Sequence, residues 1–199
     1  MTMKWTLLNR EPVHDGFFKL DIFRVRHDTY AGGEVEVIRE LYYRDDAVAV
    51  LLYDPGNDRV VMIEQFRIGA LDDDDGPWLL EIVAGMIEPD ETVHEVAERE
   101  CLEEAGVKVH AFETIHTFYT SPGGSSEKIY LLCGLIDSSD VGGIHGLDEE
   151  DEDIRVCVFD FADVEAMLAE DRITSAIPLV ALQWLKIHRE RLRIESFVM

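Results

Sequence analysis

Between Gly85 and Val107 the chain reads G-M-I-E-P-D-E-T-V-H-E-V-A-E-R-E-C-L-E-E-A-G-V, and no other stretch limits the possible folds so tightly. Thr92 followed by Glu95 makes a capping box. The hydroxyl and the carboxylate each satisfy a backbone N–H that a helix start leaves without a partner, so a helix begins near Val93. Gly106 ends it in the left-handed conformation that glycine adopts without strain. At 100° per residue Val93, Val96, Ala97, Glu100, Glu103 and Glu104 fall within one sector. Three carboxylates at i, i+3 and i+4 therefore continue an apolar stripe. Two such charges ~5.5 Å apart at an effective dielectric of ~20 repel by about 3 kcal/mol, and partial burial adds a desolvation cost. The arrangement requires positive charge beside it. Hard divalent cations take carboxylate oxygen, and Mg²⁺ in particular leaves positions for water and substrate phosphate.

With 199 residues, 47% of them hydrophobic, the chain can bury one sizeable core. No apolar run is long enough to span a bilayer, and the N-terminal M-T-M-K-W-T-L-L-N-R-E lacks the hydrophobic segment of a signal peptide. Cytoplasmic localisation is the expectation. Cys101, Cys133 and Cys157 are few and widely spaced, which points to packing residues and not to a disulfide framework or zinc cluster. A formal net charge of −24 argues against nucleic acid and anionic membrane as partners. It also means that a phosphate-bearing substrate needs metal ions and a local group of arginines to reverse the potential.

Taken in order, residues 17–26 and 34–44 alternate around Ala31-Gly32-Gly33 and predict a β-hairpin. It is too polar on one face to stand alone and needs something to pack on, such as another subunit. Residues 47–53 and 60–66 predict a second hairpin around Asp54-Pro55-Gly56-Asn57-Asp58, with near-continuous apolar character that suggests burial on both faces. Leu71 to Gly76 reads as a solvated acidic loop, and 78–84 as one strand delivering Gly85. Strands follow at 107–119 and 128–136, joined by Ser121-Pro122-Gly123-Gly124-Ser125-Ser126-Glu127, whose small residues would let backbone N–H groups approach a ligand. A six-acid run, Asp148 to Asp153, precedes a strand at 154–159 and closing helices at 161–170 and 175–193. The expected division is an N-terminal β extension, 1–46, and a catalytic domain, 47–199.

Gly85, Glu91, Arg99-Glu100, Glu103-Glu104, Gly106 and Val107 at these spacings resemble the Nudix box of the Nudix hydrolases. Cys101 departs from the larger aliphatic residue usual there, but it is a small hydrophobe that can pack in its place. From Gly16-Phe17-Phe18 to Gln183-Trp184-Leu185 the chain further resembles the bacterial ADP-ribose pyrophosphatases of that family. Pro122, fifteen residues beyond the box, and G-I-H-G-L-D-E-E-D-E-D-I-R-V carry most of that likeness.

The resemblance implies an α+β fold, a mixed β-sheet between helices in an α/β/α sandwich, in a homodimer whose N-terminal antiparallel strands are exchanged. It implies Mg²⁺, with Mn²⁺ as a possible substitute, held by the backbone carbonyl of Ala84 and by Glu100, Glu104 and Glu152. Glu103 supports the cluster. Arg99 holds the box loop through Glu91 and is expected to point away from Glu100. Phe17, Phe18, Arg39 and Glu40 would reach the adenine end across the dimer, while Arg44, Arg67, Met86, Ser121, Pro122, Gly123 and Glu127 line the rest of the substrate.

A charge block such as 148–153 is ordinarily a solvated loop. A metal-assisted hydrolase, however, needs a carboxylate to take a proton from the attacking water, and the helix glutamates are committed to metal. Glu150 matches the position of the proton acceptor, with Glu149 and Glu152 as rivals. His116 and His145 are weaker candidates. The expected reaction is ADP-ribose plus water giving AMP and ribose 5-phosphate. Alternatives are another nucleoside diphosphate derivative, such as a sugar nucleotide, or a protein that senses ADP-ribose without cleaving it.

Overall fold

The computed structural model describes residues 2–147, 149 and 151–196. The chain divides into two compact units, Met1–Asp46 with Phe118–Ile129, and Ala47–Thr117 with Tyr130–Met199.

The first unit is built on an antiparallel sheet of β1 (Trp5–Asp15), β2 (Lys19–Asp28) and β3 (Glu34–Tyr43), in that order. The expected hairpin is β2–β3, turned at Gly32 and Gly33, which adopt φ of +88° and +86° that a side chain would disfavour. β1 was not foreseen. Its residues are polar and apolar by turns without a buried face, and all eleven are exposed; pairing with β2 holds it in place. Register puts Trp5, Leu7, Val25, Val35 and Val37 on one face of the sheet. Trp5 is 72% exposed there.

The second unit is organised by a mixed eight-stranded sheet. Its strands are β4 (Ala47–Asp54), β5 (Arg59–Phe66), β6 (Trp78–Glu81), β7 (Val83–Met86), β8 (Ala111–Tyr119), β9 (Lys128–Leu135), β10 (Gly143–His145) and β11 (Ile154–Asp160). The main path runs β10-β11-β5-β4-β9-β8. Among the described residues three α-helices accompany it, α1 (Val93–Ala105), α2 (Phe161–Ala169) and α3 (Ala176–Ser196). Every residue of β4 is buried, as its apolar run predicts. Alternation splits it: Val48, Val50 and Leu52 join Val96, Ala97 and Cys101 of α1 in one core, while Ala49, Leu51 and Tyr53 are buried on the other face. Helix α3, which packs on β4 and β6 and buries Ala181, Leu182 and Leu185, has no residue in the α1 core. Helices therefore flank the sheet on both faces, the predicted α/β/α arrangement.

The single strand expected over 78–84 is two. β4 and β5 pair only where the hairpin closes, Leu52–Asp54 against Arg59–Val61, and the incoming chain fills the gap beyond. β6 pairs with β5 and β7 with β4, so the chain breaks step at buried Ile82. Among the described residues no helix is long and apolar enough to cross a membrane. Cys101 and Cys133 are buried and Cys157 half-buried, all as free thiols.

Candidate active site

Helix α1 forms as its ends dictate. Thr92 Oγ1 accepts from the Glu95 N–H, Glu95 returns a carboxylate oxygen to the Thr92 N–H at 2.8 Å, and Gly106 closes the helix at φ +65°. Gly85 of the preceding strand β7 leaves the space that the Glu100 side chain occupies. A Cβ there would stand 1.6 Å from Glu100 Oε1.

The three glutamates of the predicted face differ in surroundings. Glu104 is 3% exposed and accepts a hydrogen bond from the Ala84 N–H at 2.9 Å. Burial pushes its carboxyl up to about 8, the Ala84 N–H opposing and the charges of Glu100 and Glu152 adding to the rise. Burial also raises Glu100, against the pull of Arg99.

Arg99 overturns one expectation. Its Nε and Nη2 do grip Glu91, at 3.0 and 3.1 Å, and Glu91 in turn accepts from the Glu88 N–H. Yet Nη1 bonds Glu100 Oε1 at 2.7 Å and Glu103 Oε2 at 3.1 Å, so the guanidinium turns toward Glu100 and not away. A long, flexible side chain follows the charge excess that the helix phase creates, whatever the direction of its Cα–Cβ bond.

Glu152 Oε2 accepts from the Leu147 N–H at 3.2 Å. Glu150 lies outside the described residues, and the adjacent Glu149 is exposed. His145 behaves as a structural residue: its ring packs where a Cβ on Gly106 would be, and Nε2 lies 3.0 Å from the Gly142 carbonyl. His116 is exposed on β8. Among the described residues no three His, Cys, Asp or Glu side chains are grouped as a ligand set. The donor chemistry still suits a hard divalent cation, because Glu100 and Glu104 put two carboxylates one helical turn apart beside the main chain of β7. In the same unit Arg67 is exposed and bonded to Glu81 at 2.8 Å, and Met86 offers its carbonyl to Arg99 at 3.5 Å.

The remaining candidate binding residues belong to the first unit, where four of them meet. Phe17, 82% exposed, stands edge-on to Phe18, and Phe18 packs on Tyr42 with centroids 5.0 Å apart. The Arg44 guanidinium lies over the Phe18 ring at 5.2 Å and bonds the buried Glu127 at 3.0 Å. Ser121, Pro122 and Gly123 are exposed in a turn closed by the Ser121 carbonyl, which accepts from the N–H groups of Gly124 and Ser125. Arg39 and Glu40 do not come together. Their register places Arg39 opposite Phe23 and Glu40 opposite Ile22, on opposite faces of the sheet. Tyr42, Ser126 and Glu81, which hold Phe18, Arg44 and Arg67, were absent from the sequence-derived set; their importance depends on partners far along the chain, and no local spacing signals it.

The NUDIX domain profile matches residues 43–180. The chain is 44% identical over 190 residues to an ADP-ribose pyrophosphatase of Escherichia coli, covering 95% of this chain and 91% of that one. It is 40% identical to the ADP-ribose pyrophosphatase of Haemophilus influenzae (94% and 88% covered), and 32% identical to a GDP-mannose pyrophosphatase of Yersinia pestis (94% of each). A crystal structure of an ADP compounds hydrolase superposes with a TM-score of 0.67 at 21% identity, over 92% of this chain and 95% of that one, a likeness of fold. The chain belongs to the Nudix family.

Proposed function

We propose that this protein hydrolyses the diphosphate bond of ADP-ribose, giving AMP and ribose 5-phosphate. Sequence identity of 40–44% to ADP-ribose pyrophosphatases over nearly the whole chain carries the reading, and an α1 bearing the full glutamate set supports it. In this reading Glu100, Glu104, Glu152 and the Ala84 carbonyl would hold Mg²⁺ or Mn²⁺. A bound divalent ion supplies stabilisation of the charge that develops on the phosphate oxygens. Arg67 of the same unit would offer a planar fork to those oxygens; in the first unit, Arg44 is a candidate for phosphate and Phe17 and Phe18 are candidates for adenine. Glu150 takes the proton of the attacking water. Arg99 and Glu91 hold the box loop, while Glu103 keeps Arg99 in place.

Exposed Trp5, Leu7 and Val35 on one face of the β1–β3 sheet support a further part of the reading, a homodimer in which residues 1–46 are exchanged between subunits. Light scattering that finds an active monomer would remove it. A sugar nucleotide is the second substrate reading, favoured by the likeness to GDP-mannose pyrophosphatase. A sensor that binds without cleaving has no use for three mutually repelling acids.

The test is a panel of nucleoside diphosphate compounds with Mg²⁺, the products resolved by chromatography. AMP and ribose 5-phosphate from ADP-ribose, formed faster than products of any sugar nucleotide, are expected. A flat response to ADP-ribose beside rapid turnover of GDP-mannose would transfer the assignment.

A further inference from the structure

Residues Gly124 to Ser126 run alongside the end of β3 as a short parallel partner, with Tyr42 opposite Ser125. The Tyr42 N–H donates to the Gly124 carbonyl at 2.8 Å, and the Ser126 N–H to the Tyr42 carbonyl at 3.2 Å. At Arg44 a side chain continues the pairing. The Ser126 hydroxyl accepts from the Arg44 N–H at 2.8 Å and donates to the Arg44 carbonyl at 2.8 Å, so one oxygen satisfies both main-chain groups. Glu127 completes the hold by pairing with Arg44 Nη1 in an ion pair at 3.0 Å and accepting from Thr120 Oγ1 at 3.0 Å. Arg44 is thus fixed at its backbone, at one guanidinium nitrogen and against the Phe18 ring. Its Nε is buried and has no hydrogen-bond partner among the described residues, so the guanidinium keeps donor capacity that Glu127 does not use.

We infer that Ser126 is a positioning residue for substrate recognition: by locking the main chain of Arg44 to the loop that carries Ser121, Pro122 and Gly123, it holds the arginine and the loop in one register toward an anionic oxygen of the ligand. The inference rests on the reading of Arg44 and this loop as substrate contacts. An arginine held this way meets its ligand without ordering a flexible segment first, so Ser126 acts on binding and not on the chemical step.

The experiment compares the parent with Ser126→Ala, Ser126→Cys and Ser126→Thr, by steady-state kinetics on ADP-ribose and by amide hydrogen exchange of the peptides that contain 39–46 and 118–129. Ser126→Ala should raise KM about tenfold with kcat within about threefold, the worth of a lost hydrogen-bond pair at a partly solvated site. Exchange at both peptides should quicken by a similar factor. Ser126→Thr keeps the hydroxyl and should return both readouts toward the parent, with Ser126→Cys in between. Unchanged KM and exchange in Ser126→Ala, a fall in kcat at constant KM, or a threonine variant no better than alanine would each overturn the inference. If the parent ignores ADP-ribose and cleaves a sugar nucleotide, the substrate assignment fails alone. The kinetic series then moves to that compound, and exchange, which needs no substrate, still decides Ser126.

Discussion

At the β4–β5 turn Asp54 and Asp58 are each met by several donors, whereas toward the C-terminal end of α1 Glu100 and Glu103 share one arginine nitrogen and Glu104 accepts from the Ala84 N–H. Asp54 accepts from the N–H and the side-chain amide of Asn57 and from the N–H and hydroxyl of Ser138, all at 2.7–3.0 Å. Asp58 is gripped by the Arg189 fork and by the Tyr53 hydroxyl, with Arg193 at 3.7 Å. Its carboxyl is held below the usual range by Arg189, against the effect of burial. Glu100 and Glu104 are displaced the other way, burial being the main cause for both. The two regions of one unit thus use carboxylates oppositely. The turn's acids are complete without a ligand and tie β4, β5 and α3 together, while the helix acids are under-compensated and gain most from an added cation.

The largest expected effect tests the second half of that contrast. Glu100→Gln or Glu104→Gln keeps shape and removes a charge, so turnover should fall by roughly 10²–10³-fold, the scale of lost charge stabilisation at a phosphoryl centre, with partial recovery at high Mg²⁺. In EDTA the melting temperature of Glu104→Gln should equal or exceed that of the parent, because a buried acid has been removed and not a satisfied one. Glu150→Gln should lose about 10²–10⁴-fold in kcat at unchanged metal affinity, the usual worth of a general base. A Glu104→Gln protein that melts well below the parent in EDTA would abolish the distinction between the two clusters. Full activity in Glu150→Gln beside loss in Glu149→Gln or Glu152→Gln would move the base.

What could be read from sequence follows the range of the interactions concerned. The caps and phase of α1 depend on residues within one or two turns of each other, and Thr92, Glu95 and Gly106 sit as their spacing dictates. Both hairpins announce themselves through turns of a few residues. Strand β1 could not be found this way, since its order comes from pairing with β2 and its side chains show no buried periodicity. The break at Ile82 arises because β6 and β7 choose different neighbours, which a strand-like run of residues does not encode. Arg99 shows a subtler limit. Helix phase located the excess of negative charge but not the guanidinium that bends into it. The pairing of Asp58 with Arg189, and of Arg44 with Ser126, links residues that only the folded chain brings together.

A smaller effect sharpens the first half of the contrast. Burial alone would raise the Asp54 carboxyl, but the donors of Asn57 and Ser138 outweigh it and bring it down to about 2, against 3.8 for the free group. A group depressed in the folded state stabilises above its unfolded pKa and loses that contribution as pH falls through the folded one. Asp54 should therefore contribute about 2 kcal/mol near neutrality, declining between pH 4 and 2. Urea unfolding of the parent and Asp54→Asn measures this as a difference, in which the titration of the other acids cancels. The gap should be widest at pH 6 and mostly closed by pH 2. A gap independent of pH would mean that Asp54 acts by shape and not by charge.

The smallest expected effect concerns the two ends of α1, which do different work. Thr92 caps the start of the helix, while Glu100, Glu103 and Glu104 occupy its last two turns, next to Gly106. Thr92→Ala removes the oxygen that receives the Glu95 N–H and the hydroxyl that donates to the Glu95 carboxylate at 2.7 Å, but it leaves the core contacts of Val96, Ala97 and Cys101 in place. Lost N-caps cost about 1 kcal/mol, so the melting temperature should fall by roughly 2–4 °C for a protein of this size. Because packing on β4 and β7 holds the helix register independently of the cap, kcat and the Mg²⁺ dependence should remain within about twofold of the parent. Scanning calorimetry and a Mg²⁺ titration of turnover measure the two quantities on one preparation. A large loss of turnover with a small loss of stability would show that the cap sets the position of the glutamates, and that the two ends of α1 are coupled and not independent.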